Sequence, residues 1–137
     1  MSVARGARTL RGLSIRLRPV EIFDASYIIA MRAGDGPRFR YLNPISNDIG
    51  AQAAWIERQR MADGDYYFVI EDLFSGAPLG LIGVYGVAGN RAEWGRWILD
   101  EGSTAAVESV NVLMRFCFEV LGLDTIYCRT ISENSAV

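Results

Sequence analysis

Between Tyr66 and Leu99 the chain reads as three β-rich runs separated by tight turns, and this stretch constrains the fold more than any other. Tyr66 to Glu71 (YYFVIE) leads into the turn residues Phe74-Ser75-Gly76-Ala77-Pro78. Leu79 to Tyr85 (LGLIGVY) leads into Gly89-Asn90, and Ala92 to Leu99 (AEWGRWIL) ends the series. Aromatic and β-branched runs bounded by such clusters are strands joined in hairpins. Glycines 80, 83 and 86 inside the second run predict bulges or a close approach of another backbone. In the third run, strict alternation places Glu93, Gly95, Trp97 and Leu99 on one face and Ala92, Trp94, Arg96 and Ile98 on the other.

The flanking segments supply another strand at each end, and helices. Leu13 to Val20 alternates, with Ile15, Leu17 and Pro19 opposite Arg16 and Arg18, and predicts a first strand. Asp24 is placed to cap a helix from Ala25 to Arg32, which Gly34, Gly36 and Pro37 end. Asn47 or Asp48 caps a second, from Ile49 to Ala62, with Gln52, Ala53 and Ile56 inward. The longest helix runs from Ala105 to Leu121. Val110, Leu113, Cys117 and Leu121 form its apolar stripe, widened by Val107, Met114, Phe118 and Val120. Gly122 suits its C-terminal cap, and Thr125 to Thr130 follows as a last strand. The expected class is α+β: a mixed, largely antiparallel twisted sheet with helices on both faces. Residues 13–137 form one domain, and residues 1–12 read as a flexible leader.

Composition narrows the chemistry. The 137 residues are 50% hydrophobic with a net charge of −2, which gives no electrostatic reason to expect nucleic acid or a membrane as partner. There is no histidine, and all 14 cationic residues are arginine. This excludes Ser-His-Asp and Cys-His systems, His-ligated metal sites, a phosphate-loop lysine and Schiff-base chemistry. An enzyme of this composition works with carboxylates, Tyr, Ser, Cys, Arg or backbone groups, and no metal site is expected. Cys117 and Cys128 lie in apolar periodic segments and are expected to be buried free thiols in a reducing compartment. With no apolar core behind Arg5, Arg8 and Arg11, the leader does not read as a signal peptide, and the expected location is cytoplasmic.

The strand–loop–helix unit from Arg91 to Leu121 is the candidate site. Gly102-Ser103-Thr104-Ala105-Ala106 sets small residues before a helix start, where free backbone amides and the helix dipole can cradle a pyrophosphate. The same residues are also compatible with no more than a tight turn and a cap.

Taken in order, the motifs resemble the GNAT acetyltransferases, in particular the branch with ribosomal-protein-alanine and amino-sugar acetyltransferases. The resemblance rests on Ile15-Arg16-Leu17-Arg18-Pro19, Trp55-Ile56, Tyr67-Phe68-Val69-Ile70-Glu71 and Pro78 to Tyr85. It continues through Arg91 to Ile98, Ala106-Val107-Glu108-Ser109, Phe116 to Leu123 and Glu133-Asn134. It implies the acyl-CoA N-acyltransferase fold, with acetyl-CoA as co-substrate and a small-molecule amine as acceptor. It further implies that backbone groups of Trp97, Ile98 and Leu99 pair with the pantetheine arm. Amides of Gly102, Ser103, Thr104, Ala105 and Ala106 would hold the pyrophosphate, with Asn134 near the cofactor. Glu93 occupies the position where related enzymes carry a base; otherwise it is a strand carboxylate paired with Arg91, Arg96 or Arg129. Tyr127 is a candidate acid and Tyr85 a candidate acid or substrate-lining group; otherwise each is a packed aromatic with a wet hydroxyl. Arg40 and Tyr41, with Phe39, fall where this branch lines the acceptor pocket.

Two departures accompany the resemblance. Thr104 stands where the family's phosphate loop has its second glycine, and a β-branched residue disfavours positive φ. The family also continues past Asn134 with a further helix and strands, so the domain is expected to be incomplete at its C-terminus. That would leave the last strand as an open edge and favour a homodimer. Within the family, transfer to a 4-amino sugar nucleotide is the leading expectation. Protein N-terminal acetylation and a non-catalytic acyl-CoA-binding module are the alternatives.

Overall fold

The computed structural model describes residues 8–32, 48–100 and 102–129. The described elements are β1 (Leu10–Arg11), β2 (Ile15–Pro19), α1 (Ala25–Arg32), α2 (Ile49–Met61), β3 (Tyr66–Asp72), β4 (Pro78–Ala88), β5 (Arg91–Leu99), α3 (Ala106–Arg115) and β6 (Thr125–Tyr127). The strands form one sheet in the order β1-β2-β3-β4-β5-β6. Neighbours are antiparallel up to β5, and β6 joins β5 in parallel after the α3 crossover. The expected mixed, largely antiparallel sheet with helices on both faces is the observed architecture.

Each local boundary has a residue-level cause. Asp48 caps α2 by accepting from the Gly50 amide at 2.9 Å. Asp24 does not stand alone before α1: a 3-10 turn, Ile22–Asp24, precedes the helix. Its carboxylate accepts from the Glu21 amide at 2.7 Å and from both Nη atoms of Arg18 at 3.0 and 2.9 Å. Arg18 also donates from Nε to Glu71, which takes a second bond from Arg16 Nε. Burial alone would raise the Glu71 pKa, but the two guanidiniums outweigh it and hold the group below its ordinary value.

The first strand pair begins earlier than the sequence suggests. Leu10 and Arg11, inside the segment read as a leader, pair with Leu17 and Arg16. Their turn is tied down by Glu108, in the first turn of α3. Its carboxylate accepts from the amides of Leu13 and Ser14 and from the Ser14 hydroxyl.

Two helical features differ from the periodic reading. The buried face of α3 is set by Ser109, Val112 and Leu113, continuing into Phe116 and Cys117, while Val107, Phe118 and Val120 are exposed. Past Arg115 the helix widens into a π turn, Phe116–Val120. The extra residue per turn rotates the apolar positions that a uniform 3.6-residue period assumes. Cys128 is exposed and only Cys117 is buried, which corrects the expectation for this pair. Burial pushes the Cys117 thiol up to about 11.

Two cores result. On the α3 face lie Ile15, Leu17, Phe68, Ile70, Ile82, Val84, Ala92, Leu113, Phe116 and Cys117. On the α1–α2 face lie Val20, Ile28, Met31, Ile56, Tyr67, Val69, Leu81 and Ile98. No helix among the described residues is long and apolar enough to cross a membrane.

Candidate active site

The site is built around β5. Its register against β4 slips twice. Tyr85 pairs with Glu93 and Ala88 with Arg91, so β4 carries an extra residue there, at the turn of Gly86 (φ +64°). Further along, Gly83 pairs with Gly95 but Leu81 with Ile98, so β5 carries the extra residue, and Arg96 takes φ +50°. A one-residue bulge reverses the faces of everything beyond it. Trp97 and Leu99 therefore join Ala92 and Trp94 on the α3 face, while Arg96 and Ile98 turn to the α1–α2 face with Glu93 and Gly95. The single alternation expected from the sequence holds only as far as Gly95.

The parallel pairing of β6 covers only Arg91, Ala92 and Glu93, opposite Thr125, Ile126 and Tyr127. Beyond Glu93, β5 runs on to Leu99 with no described strand on its β6 side. This unpaired, bulged half of β5 leads directly through residues 100–105 to the start of α3.

Tyr85, Glu93 and Tyr127 form a cross-strand row on β4, β5 and β6, where the β5–β6 pairing ends. Three of the five residues singled out from sequence for catalysis and acceptor contact are thus brought together. The Glu93 side chain is 18% exposed, and its carboxylate lies 3.4 Å from Arg129 Nε. Of the three arginine partners considered, Arg129 is the one observed, and Arg96 is engaged elsewhere. Arg91 stacks on the Tyr127 ring at 5.0 Å. Burial foremost, and then the Glu93 charge, raise the Tyr85 pKa against the opposing pull of Arg96. Its phenol is therefore a neutral donor beside a carboxylate at ordinary pH.

The loop into α3 offers amides. Gly102 has φ +82° and supplies the left-handed turn that the family pattern would take from a later glycine. Thr104 is exposed and is not at positive φ, since Arg96 is the one non-glycine residue with positive φ among the described residues. The turn is held by the Ser103 amide donating to Asp100 O at 3.1 Å and the Ala105 amide to Ser103 Oγ at 3.2 Å. Ala105 is the N-cap residue of α3 and no side chain caps the helix. The one acid in the first turn, Glu108, is committed to the β1–β2 turn. With no side-chain cap on α3, the free amides and dipole of the helix start are compatible with an anionic phosphate group.

Trp97, Ile98 and Leu99 lie in the bulged half of β5, next to this loop. Arg40, Tyr41 and Asn134 fall outside the described residues. Sequence reasoning missed the surroundings of Arg96. Its guanidinium donates to both oxygens of Asp65, at 2.7 and 3.1 Å, and stacks on Tyr85, Trp55 and Tyr67. Trp94 and Trp97, three apart, would face opposite sides of a regular strand, and with a core on each side the sequence carries no signal for the bulge that puts both on the α3 face.

The GNAT acetyltransferase domain family matches residues 14–137. Among solved structures, FdhC, a nucleotide-linked sugar GNAT, superposes with a TM-score of 0.80 at 30% identity, over 94% of this chain and 76% of that one. A GNAT-family acetyltransferase from Chromobacterium violaceum gives 0.78 at 24% identity, over 97% and 70% of the two chains. The spermidine N-acetyltransferase SpeG from Vibrio cholerae, as its N152L mutant, gives 0.75 at 18%, over 90% and 73%. No curated protein is detectably similar in sequence.

Proposed function

This chain belongs to the GNAT acetyltransferase family and is an acyltransferase, and from that premise we propose that it moves acetyl from acetyl-CoA to the primary amine of a 4-amino sugar nucleotide. The observation that carries the choice of acceptor is the 30% identity to a nucleotide-linked sugar GNAT across nearly the whole chain.

In this reading the pantetheine arm adds to the open side of Trp97, Ile98 and Leu99 as a strand would. The pyrophosphate sits on the amides from Gly102 to Ala106. The acceptor reaches the row of Tyr85, Glu93 and Tyr127, with Arg40 and Tyr41 lining its pocket and Asn134 near the cofactor. Glu93 takes a proton from the acceptor ammonium, directly or through water. The freed amine attacks the thioester carbonyl, the new C–N bond forms and the C–S bond breaks. The leaving thiolate receives a proton, for which Tyr127 is the candidate donor, and the second proton shed by the amide nitrogen restores the phenol through water. No covalent enzyme intermediate is needed, which suits a chain with neither histidine nor lysine. Much of the rate comes from holding amine and thioester in contact.

The test is a titration of the full chain with acetyl-CoA, followed by a screen for CoA release with a 4-amino sugar nucleotide, spermidine and an N-terminal alanine peptide. The expected result is binding that Thr104→Trp weakens at least about tenfold, or ~1.4 kcal/mol, and turnover highest with the sugar nucleotide. Turnover highest with spermidine or the peptide would replace the acceptor. Binding without turnover of any amine would leave an acyl-CoA-binding module.

A further inference from the structure

Arginine disfavours a left-handed backbone, because its Cβ crowds the following carbonyl. A residue persists there when its surroundings over-determine it. At Arg96 those surroundings come from α2, β3, β4 and the turn before β3. Asp65, just before β3, takes a two-pronged ion pair from the guanidinium. Asp65 is in turn held by Gln59 of α2, whose Nε2 donates to its backbone carbonyl at 3.1 Å and to its carboxylate at 3.2 Å. Tyr85 of β4, Trp55 of α2 and Tyr67 of β3 bring their rings to 4.1, 5.0 and 5.2 Å from the guanidinium carbon. Trp55 and Tyr67 also meet edge to face at 5.8 Å.

The consequence falls on the site. Arg96 is the bulged residue, so its backbone directs where β5 runs after Glu93. Its guanidinium covers one side of the Tyr85 ring, while the bare Gly95 backbone receives the Tyr85 hydroxyl, where a Cβ would collide with it. The ring is thereby clamped in the row with Glu93. We propose that Arg96, anchored by Asp65, is a positioning residue for acyl transfer: it holds the β5 bulge and keeps Tyr85 beside Glu93 without touching either reactant. This rests on the acyl-transfer reading of the Tyr85–Glu93–Tyr127 row.

The test separates backbone from guanidinium. Arg96→Gly keeps a residue at ease with positive φ and removes the clamp. Arg96→Ala removes both. Arg96→Lys keeps the charge but not the planar fork. Asp65→Asn weakens the anchor. Each full-length variant is assayed for kcat, for KM of acetyl-CoA and for thermal stability. Amide exchange is measured over residues 91–99.

Arg96→Gly is expected to lose kcat, by about 100-fold as for a misplaced reacting group, with KM for acetyl-CoA and exchange in β5 unchanged. Arg96→Ala is expected to lose kcat, raise KM and speed exchange beyond Gly95. Arg96→Lys fails to rescue kcat, and Asp65→Asn loses kcat in part. Gly and Ala variants that are indistinguishable in KM and exchange, or an Arg96→Ala variant with parental kcat, would overturn the proposal. If the parent chain shows no acetyl-CoA turnover, the acyl-transfer reading fails by itself. The exchange arm then still decides the bulge: β5 protection in Arg96→Ala equal to the parent's overturns it.

Discussion

On the α3 side of the sheet, Phe116 meets Tyr66 and Phe68 edge to face at 5.3 and 5.9 Å, over a layer of Ile15, Leu17, Ile70, Ile82 and Val84. On the opposite side, the same strands begin with a comparable layer, Val20, Ile28, Ile56, Val69 and Leu81. Toward β5 and β6 that layer gives way to Tyr67, Tyr85, Arg96, Asp65, Glu93 and Tyr127. The α3 face is mainly apolar, with Ser109 buried in it; the other carries paired charges at both ends, Arg16, Arg18, Asp24 and Glu71 by β2 and Arg96 with Asp65 toward β5. A dry, well-packed face stores stability through area removed from water. A face with satisfied polar groups does less for stability but can hold charge in fixed geometry. The bulge at Arg96 separates the two uses, since it sends Trp97 to the dry face and Arg96 to the polar one.

If this division is right, the faces fail differently. Glu93→Gln, on the polar face, is expected to lower kcat by about 10²–10⁴-fold, the usual worth of a positioned base. Its stability should stay within about 1 kcal/mol of the parent's, since the ion pair it loses is with the exposed Arg129. Turnover at the parental rate would remove Glu93 from the chemistry. Phe116→Ala, on the dry face, is expected to destabilise by about 3–5 kcal/mol in denaturant titration, with kcat of the folded fraction retained. A loss below about 1 kcal/mol would mean that α3 is not the stability-bearing layer.

The smallest effect concerns pH. The Glu71 pKa is lower in the folded chain than its ordinary 4.5, so the folded state binds fewer protons than the unfolded one. Its contribution is therefore complete above about 4.5 and is lost as pH falls through the lowered value. Glu71→Gln should flatten the stability profile on the acid side of that point and leave it parallel above. A variant whose acid-side profile tracks the parent's would show that other carboxylates govern acid unfolding.

The elements were legible from local signals. Ala25–Arg32 was readable to the residue, and the strands of the three hairpin runs were readable to within a few positions, because period two and turn chemistry act over neighbouring residues. The cross-strand row of Tyr85, Glu93 and Tyr127 was legible only as separate candidates. Their meeting depends on register, which a turn and a crossover helix set at a distance. The stripe of Val110, Leu113, Cys117 and Leu121 does pack on the core, whereas the residues expected to widen it, Val107, Phe118 and Val120, are exposed, the last two within the π turn that changes the period.

The sequence by itself therefore determined the class of fold, the exclusion of histidine and lysine chemistry, and the identity of the candidate residues. These follow from residue types and short-range periods. Only the tertiary structure decided the Arg96–Asp65 lock, the exposure of Cys128 and the point at which the β5–β6 pairing ends. Each depends on contacts between segments far apart in the chain, whose energies no local pattern encodes. The bulge shows the difference most plainly: the sequence around Arg96 is compatible with a regular strand, and the guanidinium's partners on α2, β3 and β4 select the irregular one.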